Sequence, residues 1–197
     1  MPRRVEFFFD YLSPYSYLAD TQLSGLAART GGEIVYRPAL LHGVLTGSGN
    51  TPPPTVPARA RHMPADLARW VARYGVDFAF NPAFPMSTVN ALRAALAAQA
   101  AGGFAALHRA LFRAVWVERK NVSDAAVLGD VIAKAGLDSD ALLAEAASEP
   151  TKARLKANVD EALARGAFGL PSFFVGDELF FGNDRLGFVE AALSSAR

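Results

Sequence analysis

The stretch that most constrains this chain is Val5-Glu6-Phe7-Phe8-Phe9-Asp10 running into Tyr11-Leu12-Ser13-Pro14-Tyr15-Ser16-Tyr17-Leu18-Ala19. Val5, Phe7, Phe8 and Phe9 form a short run of β-formers without clean polar alternation, which is the pattern of a strand buried on both faces. Ser13-Pro14 then starts a helix, because a small polar residue caps free amides and proline at the first helical position has no N–H to leave unpaired. Tyr17, Leu18, Leu23, Leu26 and Ala27 keep rough helical spacing until Gly31-Gly32 stops it. Residues 33–37, set between that glycine pair and Pro38, read as a second strand. The chain therefore opens as a βαβ unit, for which parallel pairing and a right-handed crossover are expected.

From 38 to 165 the apolar residues recur at helical intervals instead. The spacing predicts a short helix and turn within 38–49, an extended loop through Gly47, Gly49, Asn50 and Pro52-Pro53-Pro54, and helices near 58–74, 88–101, 104–117, 123–135, 139–147 and 151–164. Alanines crowd 91–114, and small side chains let helices approach closely, so this segment is expected at the centre of a helical bundle with Phe104, Phe112 and Trp116 in the core. Two β runs, 172–175 and 179–181, flank Gly176-Asp177-Glu178 as a tight hairpin. A last helix is expected from Asn183, its cap, to about Ser194. The sum is an α/β chain: a four-stranded sheet in βαβ…ββα order from 1–38 and 166–197, with an all-helical insertion at 39–165.

Ser13 has two readings. It can cap its own helix and nothing more, or its hydroxyl and the partial positive charge of the helix start can hold an anion. Ser13-Pro14-Tyr15-Ser16, after a buried strand and opening a helix, has the layout of the Cys-x-x-Cys site of thioredoxin-like proteins, with serine at both sulfur positions. The chain contains no cysteine. If the site handles sulfur, a small molecule must bring it, and glutathione is the obvious carrier.

The stretch 9–19 resembles the amino-terminal signature of the 2-hydroxychromene-2-carboxylate isomerases, relatives of kappa-class glutathione transferases in the DsbA-like branch of the thioredoxin fold. A second matching stretch is Phe168-Gly169-Leu170-Pro171-Ser172-Phe173-Phe174-Val175-Gly176-Asp177-Glu178, followed by Gly182-Asn183-Asp184-Arg185-Leu186. The resemblance spans essentially the whole chain. It implies that Ser13 activates the thiol of bound glutathione, which adds transiently to the substrate and is returned unchanged. It implies a cis Leu170-Pro171 bond, with Leu170 holding the cysteinyl part of the tripeptide. Gly182, Asn183, Asp184 and Arg185 would receive its γ-glutamyl end. For the substrate, a small aromatic carboxylate, the resemblance points to Asn50 and to Phe84-Pro85. Thr46 stands where many members place a lysine for the carboxylate, so Arg59 or Arg61 supplies the charge, or the substrate differs. Asp10 is expected to be structural. Kappa-like conjugation and a redox-inactive peptide-binding module are the alternatives.

Positive and negative charges nearly cancel, at a formal net of +1, so neither nucleic acid nor an anionic membrane is indicated as a partner. No apolar run approaches the roughly twenty residues of a membrane span, and the start lacks a signal-peptide pattern. A cytoplasmic protein is expected, and the relatives suggest a homodimer. His42, His62 and His108 are isolated in sequence, without metal-ligand spacing, and are expected to be surface or satisfied side chains.

Overall fold

The computed structural model describes residues 3–195. Four strands form one mixed sheet: β1 (Arg4–Phe9), β2 (Glu33–Pro38), β3 (Ser172–Val175) and β4 (Glu178–Phe181), in the order β2-β1-β3-β4. β1 runs parallel to β2 and antiparallel to β3, and β3 is antiparallel to β4. The central position of β1 explains its sequence. Phe7 and Phe9 point into the larger core, where Phe7 stacks on Phe173 with centroids 5.1 Å apart. Phe8 points the other way and meets Phe174 edge-on at 5.5 Å, in a smaller cluster with Val44, Ala162 and Leu170. With both faces covered, alternation has no physical basis.

Nine helices follow the sequence spacing closely: α1 (Pro14–Thr30), α2 (Leu41–Gly47), α3 (Pro57–Tyr74), α4 (Val89–Ala101), α5 (Phe104–Trp116), α6 (Ala125–Lys134), α7 (Ser139–Ala146), α8 (Glu149–Ala164) and α9 (Leu186–Ser195) among the described residues. α4 is the buried axis of the helical region and packs against α5, α7 and α8. Its Ala91, Ala94, Ala95, Ala97 and Ala98 are all buried, as small residues at a close helix crossing should be. One hydrophobic cluster runs without a break from the sheet through α1 into these helices. No helix among the described residues is long and apolar enough to cross a membrane.

Two helix starts lie three residues later than the expected segments begin. α2 begins at Leu41 because Pro38 still belongs to β2, where its carbonyl accepts a 2.8 Å hydrogen bond from Asn158 Nδ2. The last helix begins at Leu186, not Asn183. Residues Asn183–Arg185 form a 3-10 turn after Gly182, and Asn183 does not cap it. Its side chain is instead buried beside Tyr74, whose hydroxyl donates 3.0 Å to the Asn183 carbonyl.

Candidate active site

The turn from β1 into α1 places Ser13 at the end of the sheet with extended backbone. Its Oγ accepts the Ser16 amide at 3.1 Å and donates to the Leu170 carbonyl at 3.1 Å, so the cap is real and the hydroxyl proton faces the 170 loop. The Leu170-Pro171 bond is cis, as the resemblance implied. The Pro171 carbonyl in turn accepts the Gly182 amide at 3.0 Å, which brings the segment before α9 to the same place. Gly182 sits at φ +99°, a backbone that side-chain-bearing residues rarely adopt, and this bend aims the 183–185 turn at Ser13's end of the sheet.

These segments border a cavity of about 1350 Å³. Ser13, Leu170, Pro171, Gly182, Asn183 and Asp184 form one side of it. Asn50, Arg59, Phe84 and Pro85 lie on the walls formed by the proline loop, α3 and the segment before α4. Arg185 does not line it: its guanidinium pairs with the neighbouring Asp184 carboxylate at the surface. Thr46 does not either. α2 and its C-terminal cap turn Leu41, His42, Leu45 and Ser48 toward the cavity, which leaves Thr46 exposed on the other side.

A DsbA-like thioredoxin domain matches residues 4–194. The 2-hydroxychromene-2-carboxylate isomerase of Sphingobium xenophagum is 36% identical over 98% of this chain and 99% of its own. The protein of the same name from Pseudomonas putida is 33% identical over 96% and 93%. A solved 2-hydroxychromene-2-carboxylate isomerase structure shares the fold at a TM-score of 0.82 and 30% identity, covering 96% of this chain and 94% of that one. The chain belongs to this isomerase family. Glutathione S-transferase kappa 1 of Rattus norvegicus, 28% identical over 94% of this chain and 88% of its own, marks a related branch.

In this member of the isomerase family the cavity contains groups that single-residue reading overlooked. Beside the expected Arg59, the residues His62, Met63, Asp66 and Trp70 of α3 line it, at helical spacings of three and four that put them on one face. That spacing was the available signal. Tyr15 donates 2.9 Å to Asp66 Oδ2, tying α3 to the first turn of α1. Burial and this bond hold the Tyr15 hydroxyl well above its ordinary pKa, so it stays a neutral donor. Asn50 bridges two loops, its Nδ2 giving 2.8 Å to the Phe168 carbonyl and its Oδ1 taking the Thr51 amide. Phe168 and Phe181 meet at the rim with tilted rings, 4.5 Å between centroids, over Gly169.

Arg59 is the only lysine or arginine among the lining residues and makes no ion pair among the described residues. The two lining histidines, His42 and His62, flank the same region, so their surface placement is also a cavity placement. His108 is satisfied in the core: its ring nitrogens contact Tyr11 Oη at 3.0 Å and Asp20 Oδ1 at 2.9 Å. Among the described residues no group of three potential ligands is arranged to hold a metal ion.

Proposed function

We propose that the chain is a glutathione-dependent isomerase of aromatic-compound degradation that interconverts 2-hydroxychromene-2-carboxylate, or a close analogue, with trans-o-hydroxybenzylidenepyruvate. Work in the cytoplasm as a homodimer belongs to the same reading. The observation that carries it is a buried serine hydroxyl at a helix N-terminus, on the wall of a large aromatic-lined cavity, in a chain with no cysteine.

The residues fit the tripeptide. The volume exceeds the roughly 300–1,000 Å³ of an ordinary small-ligand pocket, which leaves room for two molecules side by side. Ser13 Oγ can transfer its hydrogen bond from the Leu170 carbonyl to a thiolate, and the α1 N-terminus adds partial positive charge there. Both effects lower the pKa of a thiol held beside them. Leu170 offers its backbone to a peptide-like segment. The Gly182 amide is taken by the Pro171 carbonyl, which leaves the Asn183 amide at the start of the turn to meet a carboxylate, and Asp184 can take an ammonium while keeping Arg185 as its partner. Glutathione would supply the nucleophile that the chain itself lacks. Trp70 and Phe84, with the Phe168–Phe181 pair at the rim, suit a flat ring, and Arg59 suits its carboxylate.

Turnover of the aromatic substrate with a small, fixed amount of glutathione tests this. Many turnovers per glutathione with total thiol constant are expected. Loss of one thiol per product would make the chain a kappa-like transferase. No turnover, together with no calorimetric heat on adding glutathione, would leave a peptide-binding module.

A further inference from the structure

We propose that Asp10 is a positioning residue of this cavity: a single buried carboxylate that clamps three separate wall segments into one register. The proposal rests on the reading of the cavity as the reaction site. Asp10 follows β1 directly and is fully buried. Its Oδ1 accepts the Leu12 amide at 3.0 Å and the Thr88 hydroxyl at 2.6 Å, and its Oδ2 accepts the Leu41 amide at 2.7 Å. Each donor belongs to a different wall. Leu12 adjoins Ser13, Leu41 starts α2 with its inward His42, and Thr88 closes the segment carrying Phe84 and Pro85.

Both helix starts involved forgo a local cap. Leu40, before α2, has no side chain able to cap, and the first amide of that helix goes to Asp10 instead. Thr88 stands at the cap position of α4 and carries a hydroxyl suited to capping, yet it makes no cap bond and donates to Asp10. The hydroxyl bonds across the fold and not along its own helix. Here it fixes the distance between α4's lead-in segment and the Ser13 turn. Among the described residues no cation neutralises the carboxylate, so its burial is offset by donors held in place, and displacement of any one leaves charge under-solvated. The turn is fixed from the other side as well, since the Tyr11 carbonyl accepts Trp116 Nε1 at 2.8 Å.

The test compares Asp10→Asn, Thr88→Val and Thr88→Ser in the full chain. An amide at position 10 must turn its NH2 toward the Leu41 or the Leu12 amide, so one wall is released. A kcat loss of about a hundredfold is expected for Asp10→Asn, the scale of a misplacement near 1 Å. Glutathione affinity by calorimetry should change little. Thr88→Val should raise KM for the aromatic substrate, and Thr88→Ser, which keeps the hydroxyl, should recover most of that loss. Wild-type kcat and KM in Asp10→Asn, or equal losses in the Val and Ser variants, would overturn the clamp. If Asp10→Asn fails to fold, the Thr88 pair decides. An inactive wild type would strike the proposed reaction alone. The clamp is then read by amide hydrogen exchange, which Thr88→Val should accelerate across 84–88 and 10–13 and Thr88→Ser should not; unchanged exchange in Thr88→Val refutes it.

Discussion

β1 carries one buried carboxylate and ends at another, and the two are held in opposite ways. Glu6 is ringed by cations: Arg37 at 2.6 Å, Arg165 at 2.9 Å and Arg4 at 3.7 Å, with Glu161 sharing the first two. Asp10, four residues on, is held by two amides and a hydroxyl, with no cation among the described residues. Burial pushes both pKa values up. At Glu6 the arginines together outweigh it and the net shift is downward, whereas at Asp10 burial wins. The difference separates holding a fold from shaping a site. The arginines around Glu6 tie β2 and α8 to the central strand, and Arg165 also lies 3.9 Å from the centroid of the Phe174 ring. The arginine of the cavity, Arg59, has no such partner among the described residues.

The sharpest way to break this division is at the cavity end. Ser13→Ala should lower kcat/KM by about 10²–10³, the usual cost of removing one donor to a developing or bound anion. The lost cap should cost only about 1 kcal/mol of stability. Unchanged turnover would take Ser13 out of the chemistry. Glu6→Gln should show the reverse. Removing the charge that accepts three hydrogen bonds from Arg37 and Arg165, partly screened by water at the arginines, is expected to cost about 2 kcal/mol and to lower Tm by about 4–8 °C, with kcat of the folded enzyme unchanged. Its pH signature has a definite sign. A carboxylate whose folded pKa lies below its unfolded 4.5 stabilises above that value, and the gain fades as pH falls through the folded pKa. The Tm gap between wild type and Glu6→Gln should therefore be full at neutral pH and close in acid. A gap that persisted there would mean packing, not charge, holds Glu6.

Much of this was legible in the chain itself. The β1 phenylalanines, the Ser13-Pro14 start, the alanine-rich α4 and the 172–181 hairpin are local patterns, and local patterns survive folding with small boundary shifts. The Asn183 cap failed because Tyr74, more than a hundred residues away, takes the Asn183 carbonyl, and no local rule contains that contact. Thr46 was named from the family resemblance, but the direction in which a seven-residue helix turns its sides depends on its Asp10 anchor and its packing on α8. The inward face of α3 was readable as spacing, yet only the Tyr15–Asp66 bond shows which side meets the cavity.

Arg59 gives the smallest effect and the most direct probe of the contrast between paired and unpaired arginines. A guanidinium already engaged by carboxylates supports the fold, so its loss lowers Tm. One left unpaired on a cavity wall costs little fold stability to remove and acts when an anion arrives. Arg59→Met keeps the apolar stem and deletes the charge. KM for the aromatic carboxylate should rise about tenfold, equivalent to about 1.4 kcal/mol for a charge-assisted bond from an exposed arginine, with Tm and glutathione affinity unaltered. Wild type should prefer the free acid over its methyl ester, and the variant should lose that preference. If acid and ester are discriminated equally by both proteins, the carboxylate is held elsewhere, and His42 and His62 become the lining groups to replace next.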